Sequence, residues 1–92
     1  MVAQERKCDP EVKEQFFPQY PVNAHRAKLQ GWVLLSFDLD GSGRAANVSI
    51  VKNRPNDVFN KSALEAVEKS TFVEGVKRAG CEAIVMFSLD LD

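Results

Sequence analysis

The stretch Gly31-Trp32-Val33-Leu34-Leu35-Ser36-Phe37-Asp38-Leu39-Asp40-Gly41-Ser42-Gly43-Arg44-Ala45-Ala46-Asn47-Val48-Ser49-Ile50-Val51 decides the fold class. Val33, Leu35, Phe37 and Leu39 point one way, and Trp32, Leu34, Ser36 and Asp38 the other. That period of two marks a strand with one strongly apolar face and a half-apolar second face. Asp40-Gly41-Ser42-Gly43 is a turn, with glycines able to take positive φ. A second alternation follows, Ala46, Val48 and Ile50 against Asn47, Ser49 and Val51. Two strands joined by a short Gly-rich loop make a hairpin.

Downstream, Asn53-Arg54-Pro55-Asn56-Asp57 breaks the alternation and a helix is expected from Val58 to Lys69, capped by Asn56 or Asp57. Phe59, Ala63, Ala66 and Val67 recur at i, i+4, i+7 and i+8, a core-facing stripe. Lys61, Glu65 and Lys69 form i,i+4 pairs on the opposite side. A connection through Gly75 and Gly80 leads to a third strand, Cys81 to Leu91. There Ala83, Val85, Phe87, Leu89 and Leu91 share a face against Ile84, Met86, Ser88 and Asp90.

Upstream, residues 1–15 hold seven charges, one proline and no apolar period. They read as a mostly irregular arm or linker remnant, with a helical turn at Glu11–Gln15, ahead of a domain spanning residues 16–92. In Phe16-Phe17-Pro18-Gln19-Tyr20-Pro21 the two prolines push Phe17 and Tyr20 into extended conformations. Pro21 suits the first position of a short helix through Val22–Leu29, with Ala24 and Ala27 inward and Gly31 just past its end. The class is α+β: a three-stranded antiparallel sheet with two helices packed on one face, which buries every apolar stripe named. Three strands in an open sheet leave two edges with unpaired N–H and C=O groups, each a liability or a binding site.

Composition narrows the functions. Lys+Arg 12 against Asp+Glu 13 leaves a net charge of −1. With no basic stripe, nucleic-acid binding, which draws its affinity from neutralised phosphates, is disfavoured. The longest uncharged apolar run, Gly31 to Phe37, is far short of a membrane-spanning helix of ~20 residues. The N-terminus has no apolar signal core, so the chain is either cytoplasmic or a piece whose targeting segment lies upstream.

The chemistry-bearing residues form no catalytic constellation. Asp38-x-Asp40-x-Ser42-Gly43 imitates the start of a calcium loop, but the twelfth position is Ser49 and strands flank it, so a hairpin turn is the better reading. His25 has no sequence neighbour that would make it the base for a nucleophile. No enzyme, cofactor or metal site is read. Trp32 is either covered by the N-terminal arm or exposed, and Phe16, Phe17 and Tyr20 either pack on the sheet or frame a groove beside an edge strand. Cys8 and Cys81 are two unrelated thiols or, in an oxidising compartment, one bridge pinning the arm beside the start of the last strand.

The ordered set Pro18-Gln19-Tyr20-Pro21-x-x-Ala24, Leu29-x-Gly31-x-Val33-x-x-x-Phe37-x-Leu39-x-x-x-Gly43, Val48 and Val51 resembles the C-terminal domain of the TonB family of energy transducers. The resemblance continues through Phe59-x-x-x-Ala63-Leu64-x-Ala66-Val67-x-Lys69, Phe72 and Val85-x-Phe87-x-Leu89, about residues 16–91. It implies the helix–strand–strand–helix–strand fold and a periplasmic, non-enzymatic domain that captures the Ton box. That extended segment belongs to outer-membrane transporters for siderophores, haem or vitamin B12. Capture would be strand addition along the third strand, Cys81-Glu82-Ala83-Ile84-Val85-Met86-Phe87, with Phe17-Pro18-Gln19-Tyr20 nearby. Force would come from an inner-membrane motor of ExbB and ExbD type, through an anchor outside this chain. Three positions depart from the family pattern: Phe17 where Gln is frequent, Ser70 where Trp is common, and Glu74 where Pro is usual. They imply an intact fold with redistributed aromatic packing, Trp32 being a candidate recipient. The rival reading is a TonB- or TolA-like envelope module that binds another periplasmic protein, or pairs with itself to form strand-exchanged dimers.

Overall fold

The computed structural model describes residues 2–6 and 12–89. Its elements are β1 (Val2–Arg6), β2 (Val12–Glu14), α1 (Val22–Arg26), β3 (Gly31–Asp40), β4 (Ala45–Arg54), a 3₁₀ turn (Asp57–Phe59), α2 (Asn60–Lys69), β5 (Thr71–Phe72) and β6 (Lys77–Phe87). A four-stranded antiparallel sheet runs in the order β1-β6-β3-β4, and β2 pairs with β5 in a small second sheet. The expected helix–strand–strand–helix–strand unit is present, with its three antiparallel strands in the order β4-β3-β6.

The hairpin follows its alternation. Val33, Leu35, Phe37 and Leu39 are buried, and the turn carries Gly41 and Gly43 at φ 93° and 88°. Gly43 is needed for a second reason: a Cβ there would lie 2.9 Å from the Phe72 carbonyl oxygen, while its own carbonyl accepts the Phe72 N–H at 2.7 Å. The hairpin turn is thereby clasped to β5.

Asn56, one of two candidate caps, accepts the Val58 N–H at 3.0 Å. The first turn after it is 3₁₀, so the regular helix begins at Asn60. Phe59, Ala63, Ala66 and Val67 are all buried, and Phe59, Ala63 and Val67 share one core with the inward residues of β3 and β6. Phe59 stacks on Phe87 at 4.4 Å between ring centroids, and Phe37 on Phe72 at 6.0 Å. Such rings carry much of a small core's stabilisation.

Four expectations need correction. Helix α1 ends at Arg26 because Lys28 turns left-handed (φ 56°), with the Leu29 N–H bonded to the Ala24 carbonyl at 2.9 Å. Ala24 is therefore buried as read, but Ala27 is exposed. The last strand begins at Lys77 and ends at Phe87, rather than running from Cys81 to Leu91. Gly80 (φ 69°) lies inside it and absorbs a register shift, which lets Arg78 and Lys77 continue the ladder opposite Leu39 and Asp40. Val12–Glu14 is a strand, where a helical turn had been expected. The extended Thr71-Phe72 segment offers backbone groups that β2 satisfies. Finally, Val2–Arg6 is not irregular: it forms β1 on the flank of β6.

Candidate functional site: the flank of the last strand

Strand β6 has two flanks. On one, β3 pairs along its whole length, from Gly31↔Phe87 to Asp40↔Lys77. On the other, β1 pairs antiparallel over five positions, Val2↔Phe87, Ala3↔Met86, Gln4↔Val85, Glu5↔Ile84 and Arg6↔Ala83. Of the eleven residues assigned to partner binding, seven lie on the last strand; five of these, Ala83 to Phe87, already lie beside an added strand, while Cys81 and Glu82 lie beyond that register. The edge expected to be open is filled over this span. An edge strand presents a row of unpaired donors and acceptors, and a nearby extended segment of the same chain can satisfy them.

Side chains of β6 alternate as the sequence implies. Cys81, Ala83, Val85 and Phe87 are buried beneath the helices; Glu82 and Ile84 are half-buried and Met86 is 44% exposed. Trp32, Leu34, Ile84 and Met86 together line an apolar hollow on the sheet face away from the helices. Trp32 is half-buried there. The expected bridge partner of Cys81, Cys8, lies outside the described residues; Cys81 itself is fully buried and is not a free thiol.

The Phe16–Tyr20 segment divides its labour. Tyr20 packs edge-on against Phe87 (5.7 Å), Phe59 (5.6 Å) and His25 (5.7 Å), and its hydroxyl donates to the Leu29 carbonyl. Burial pushes the Tyr20 phenol above its ordinary pKa. Tyr20 thus buttresses the C-terminal end of β6 from the helix side. Pro18 is buried, whereas Gln19 is exposed and Phe17 is 68% exposed. Phe16 is held at its backbone: its N–H donates to Ser70 Oγ at 3.0 Å, and that hydroxyl donates to the Ala66 carbonyl at 2.6 Å. Ser70 is fully buried. Lys69 Nζ lies 5.0 Å from the centroid of the Phe16 ring, within cation–π range. Ser70, singled out as a departure from the family pattern, is the residue that fastens this segment to the end of α2.

The two aspartates of the hairpin are used internally. Asp38 accepts from Asn47 Nδ2 and from the Gly80 N–H, both at 3.0 Å, and these bonds, the Asn47 one foremost, lower its pKa. Asp40 accepts from the Ser42 hydroxyl and from the Ser42 N–H at 2.9 Å, which lowers its pKa likewise. Both carboxylates hold loop and bulge geometry. Among the described residues no group of three or more His, Cys, Asp or Glu side chains is placed to hold a metal ion. No helix among them is long and apolar enough to cross a membrane.

Sequence reasoning missed β1 as the neighbour of β6. Val2-Ala3-Gln4-Glu5-Arg6 has no apolar face to announce a strand. The one available signal was the cysteine pair, whose bridge would set the arm beside the start of the last strand.

Comparison with known proteins bears on this arrangement. The family described as "Gram-negative bacterial TonB protein C-terminal" matches residues 17–89. Protein TonB of Xanthomonas campestris is 40% identical over 67 residues, 68% of this chain and 30% of the relative. Protein TonB of Salmonella typhimurium is 30% identical over 73 residues, 79% of this chain and 30% of that protein. This chain thus spans about a third of the length of the curated relatives it matches. The solution structure of the Pseudomonas aeruginosa TonB C-terminal domain has the same fold, with a TM-score of 0.73 over 94% of both chains at 20% sequence identity. The chain belongs to the TonB C-terminal family of Gram-negative bacteria.

Proposed function

We propose that this domain is the partner-binding end of a periplasmic energy transducer. It captures the Ton box of TonB-dependent outer-membrane transporters by strand addition along β6. Main-chain hydrogen bonds supply affinity, and the alternation of buried and open positions from Ala83 to Phe87 sets register. The observation that supports this reading is the β1–β6 ladder: the flank assigned to the partner accepts an extended antiparallel strand over five positions. Force from an inner-membrane motor of ExbB and ExbD type, reaching the domain through an anchor outside this chain, would then drive import of siderophores, haem or vitamin B12.

A Cys8–Cys81 bridge belongs to the same reading. Cys8 follows Arg6 by two residues and Cys81 precedes Ala83 by two, so the Arg6↔Ala83 register supports the pairing. Directly opposed residues of antiparallel strands lie about 4.5–5.5 Å apart at Cα, inside the range a disulfide spans. The oxidising periplasm would maintain it.

Titration of the chain with a Ton-box peptide tests the function. Amide shifts concentrated on Cys81–Phe87 are expected. No perturbation there rejects the reading and favours the rival, an envelope module that serves another periplasmic protein or pairs with a second copy.

A further inference from the structure

We propose that β1 is a displaceable occupant of the acceptor flank. Val2–Arg6 holds in cis the strand position that a partner segment takes in trans, so partner capture is strand exchange and not addition to a free edge. The inference rests on the preceding reading for the partner's identity, and on the β1–β6 register for the rest.

Three observations carry it. The first is overlap: β1 covers Ala83 to Phe87, five of the seven positions from Cys81 to Phe87 through which a partner would pair. The second is weak attachment. In the order β1-β6-β3-β4, strand β1 is outermost and is paired on one flank only. Its sequence, Val-Ala-Gln-Glu-Arg, holds one β-branched residue and no aromatic, so its intrinsic strand preference is low. The third is tethering. Residues 12–14 are paired to β5 and the Phe16 N–H is bonded to Ser70, so β1 is joined through five residues to an anchored segment. A short tether gives even a weak strand an effective concentration in the millimolar range.

Weak pairing and close tethering together keep the flank covered yet exchangeable. A covered edge does not template aggregation. The cost falls on affinity: the apparent Kd for a partner rises by the reciprocal of the uncovered fraction, roughly tenfold to a hundredfold if β1 is docked 90–99% of the time. The bridge proposed at Cys8 would fix the Arg6 end of β1 and leave the Val2 end to peel away from Phe87.

The test uses the whole chain and a Gln4→Pro/Glu5→Pro variant. Successive N–H groups of a strand face opposite sides, so one of the two prolines must remove a donor to β6. A milder Gln4→Gly/Glu5→Gly variant guards against misfolding by the prolines. Amide hydrogen exchange is read along β1 and β6. Two peptides are titrated, one copying Val-Ala-Gln-Glu-Arg and one carrying a transporter Ton box. In the proline variant, the β6 amides between Ala83 and Phe87 whose N–H faces β1 should exchange at least about tenfold faster, and both peptides should bind at least about tenfold more tightly than to the parent. The glycine variant should move in the same direction by less. In the saturated parent, β1 amides should lose protection from the Val2 end, and along the whole strand once reductant opens the bridge. Unchanged exchange, equal affinity for parent and variant, protected β1 amides beside bound peptide, or failure of both peptides to bind the variant would each overturn the inference. Binding of the β1 copy without the Ton-box peptide would keep the inference and reject the proposed partner.

Discussion

The two flanks of β6 are built by different rules. Toward β3 the ladder runs from Phe87 to Lys77, and the faces it joins carry buried side chains on both strands: Val33, Leu35 and Phe37 beside Cys81, Ala83, Val85 and Phe87. Burial of apolar surface adds to the hydrogen bonds there, at about 1.5–3 kcal/mol for each large side chain. Toward β1 the ladder is five residues long and belongs to a segment without an apolar stripe. Backbone hydrogen bonds exchange with water at a small net gain, about 1 kcal/mol each. One flank therefore defines the fold, and the other is a seat that one extended segment can yield to another.

Core truncation on the β3 side should show the largest effect. Phe37→Ala removes a fully buried ring stacked on Phe72 and is expected to cost about 3–5 kcal/mol in chemical denaturation. If Gln4→Pro/Glu5→Pro cost as much, the two flanks would not differ in kind. Cys8→Ser, under oxidising conditions, should lose about 2–4 kcal/mol through the opened loop of about 70 residues, and nothing once reductant is present. An equal effect in both conditions would remove the bridge from the account. Ser70→Ala leaves the Phe16 N–H without its acceptor, and an expected loss of about 1–3 kcal/mol should accompany faster exchange of the Phe16 amide and of β2.

The smallest effect is electrostatic. The Asp38 carboxyl, bonded by Asn47 and by the Gly80 N–H of β6, has its folded-state pKa lowered from 3.8. A group whose folded pKa is depressed contributes stability above its unfolded value and loses it as the pH falls through the folded one. Denaturation midpoints should therefore decline modestly as the pH drops below about 4, and Asp38→Asn should flatten that decline. Its effect falls on the β3 flank, at the bulge, and should leave the β1 ladder unchanged.

What could be read in the sequence follows the same division. The hairpin, the α2 stripe and the alternation of β6 were legible because burial imposes a period on residue type: 2 along Val33–Leu39 and 3.6 along Phe59–Val67. Ala27 was misplaced because the end of α1 depends on the backbone of Lys28, which takes φ 56° without a glycine to signal it. The start of β6 was misplaced because Gly80, placed in the connection ahead of the strand, serves as a bulge inside it. Strands β1 and β2 were illegible for a stronger reason. They pair through backbone groups that every residue carries, with partners more than 50 residues away, so no periodic side-chain pattern records them, and only the Cys8 and Cys81 pair hinted at the place of β1. The candidate binding strand could be named from residues; the segment seated on it could not.

The most direct measurement is an amide-resolved titration of the whole chain with a Ton-box peptide, following Val2–Arg6 and Ala83–Phe87 together. The account predicts coupled changes. Amides from Ala83 to Phe87 shift while remaining protected, β1 loses protection from its Val2 end over the same concentration range, and the β3–β4 ladder stays as it was. Perturbation confined to β4 or to the hollow around Trp32, with both β1 and β6 unmoved, would contradict it.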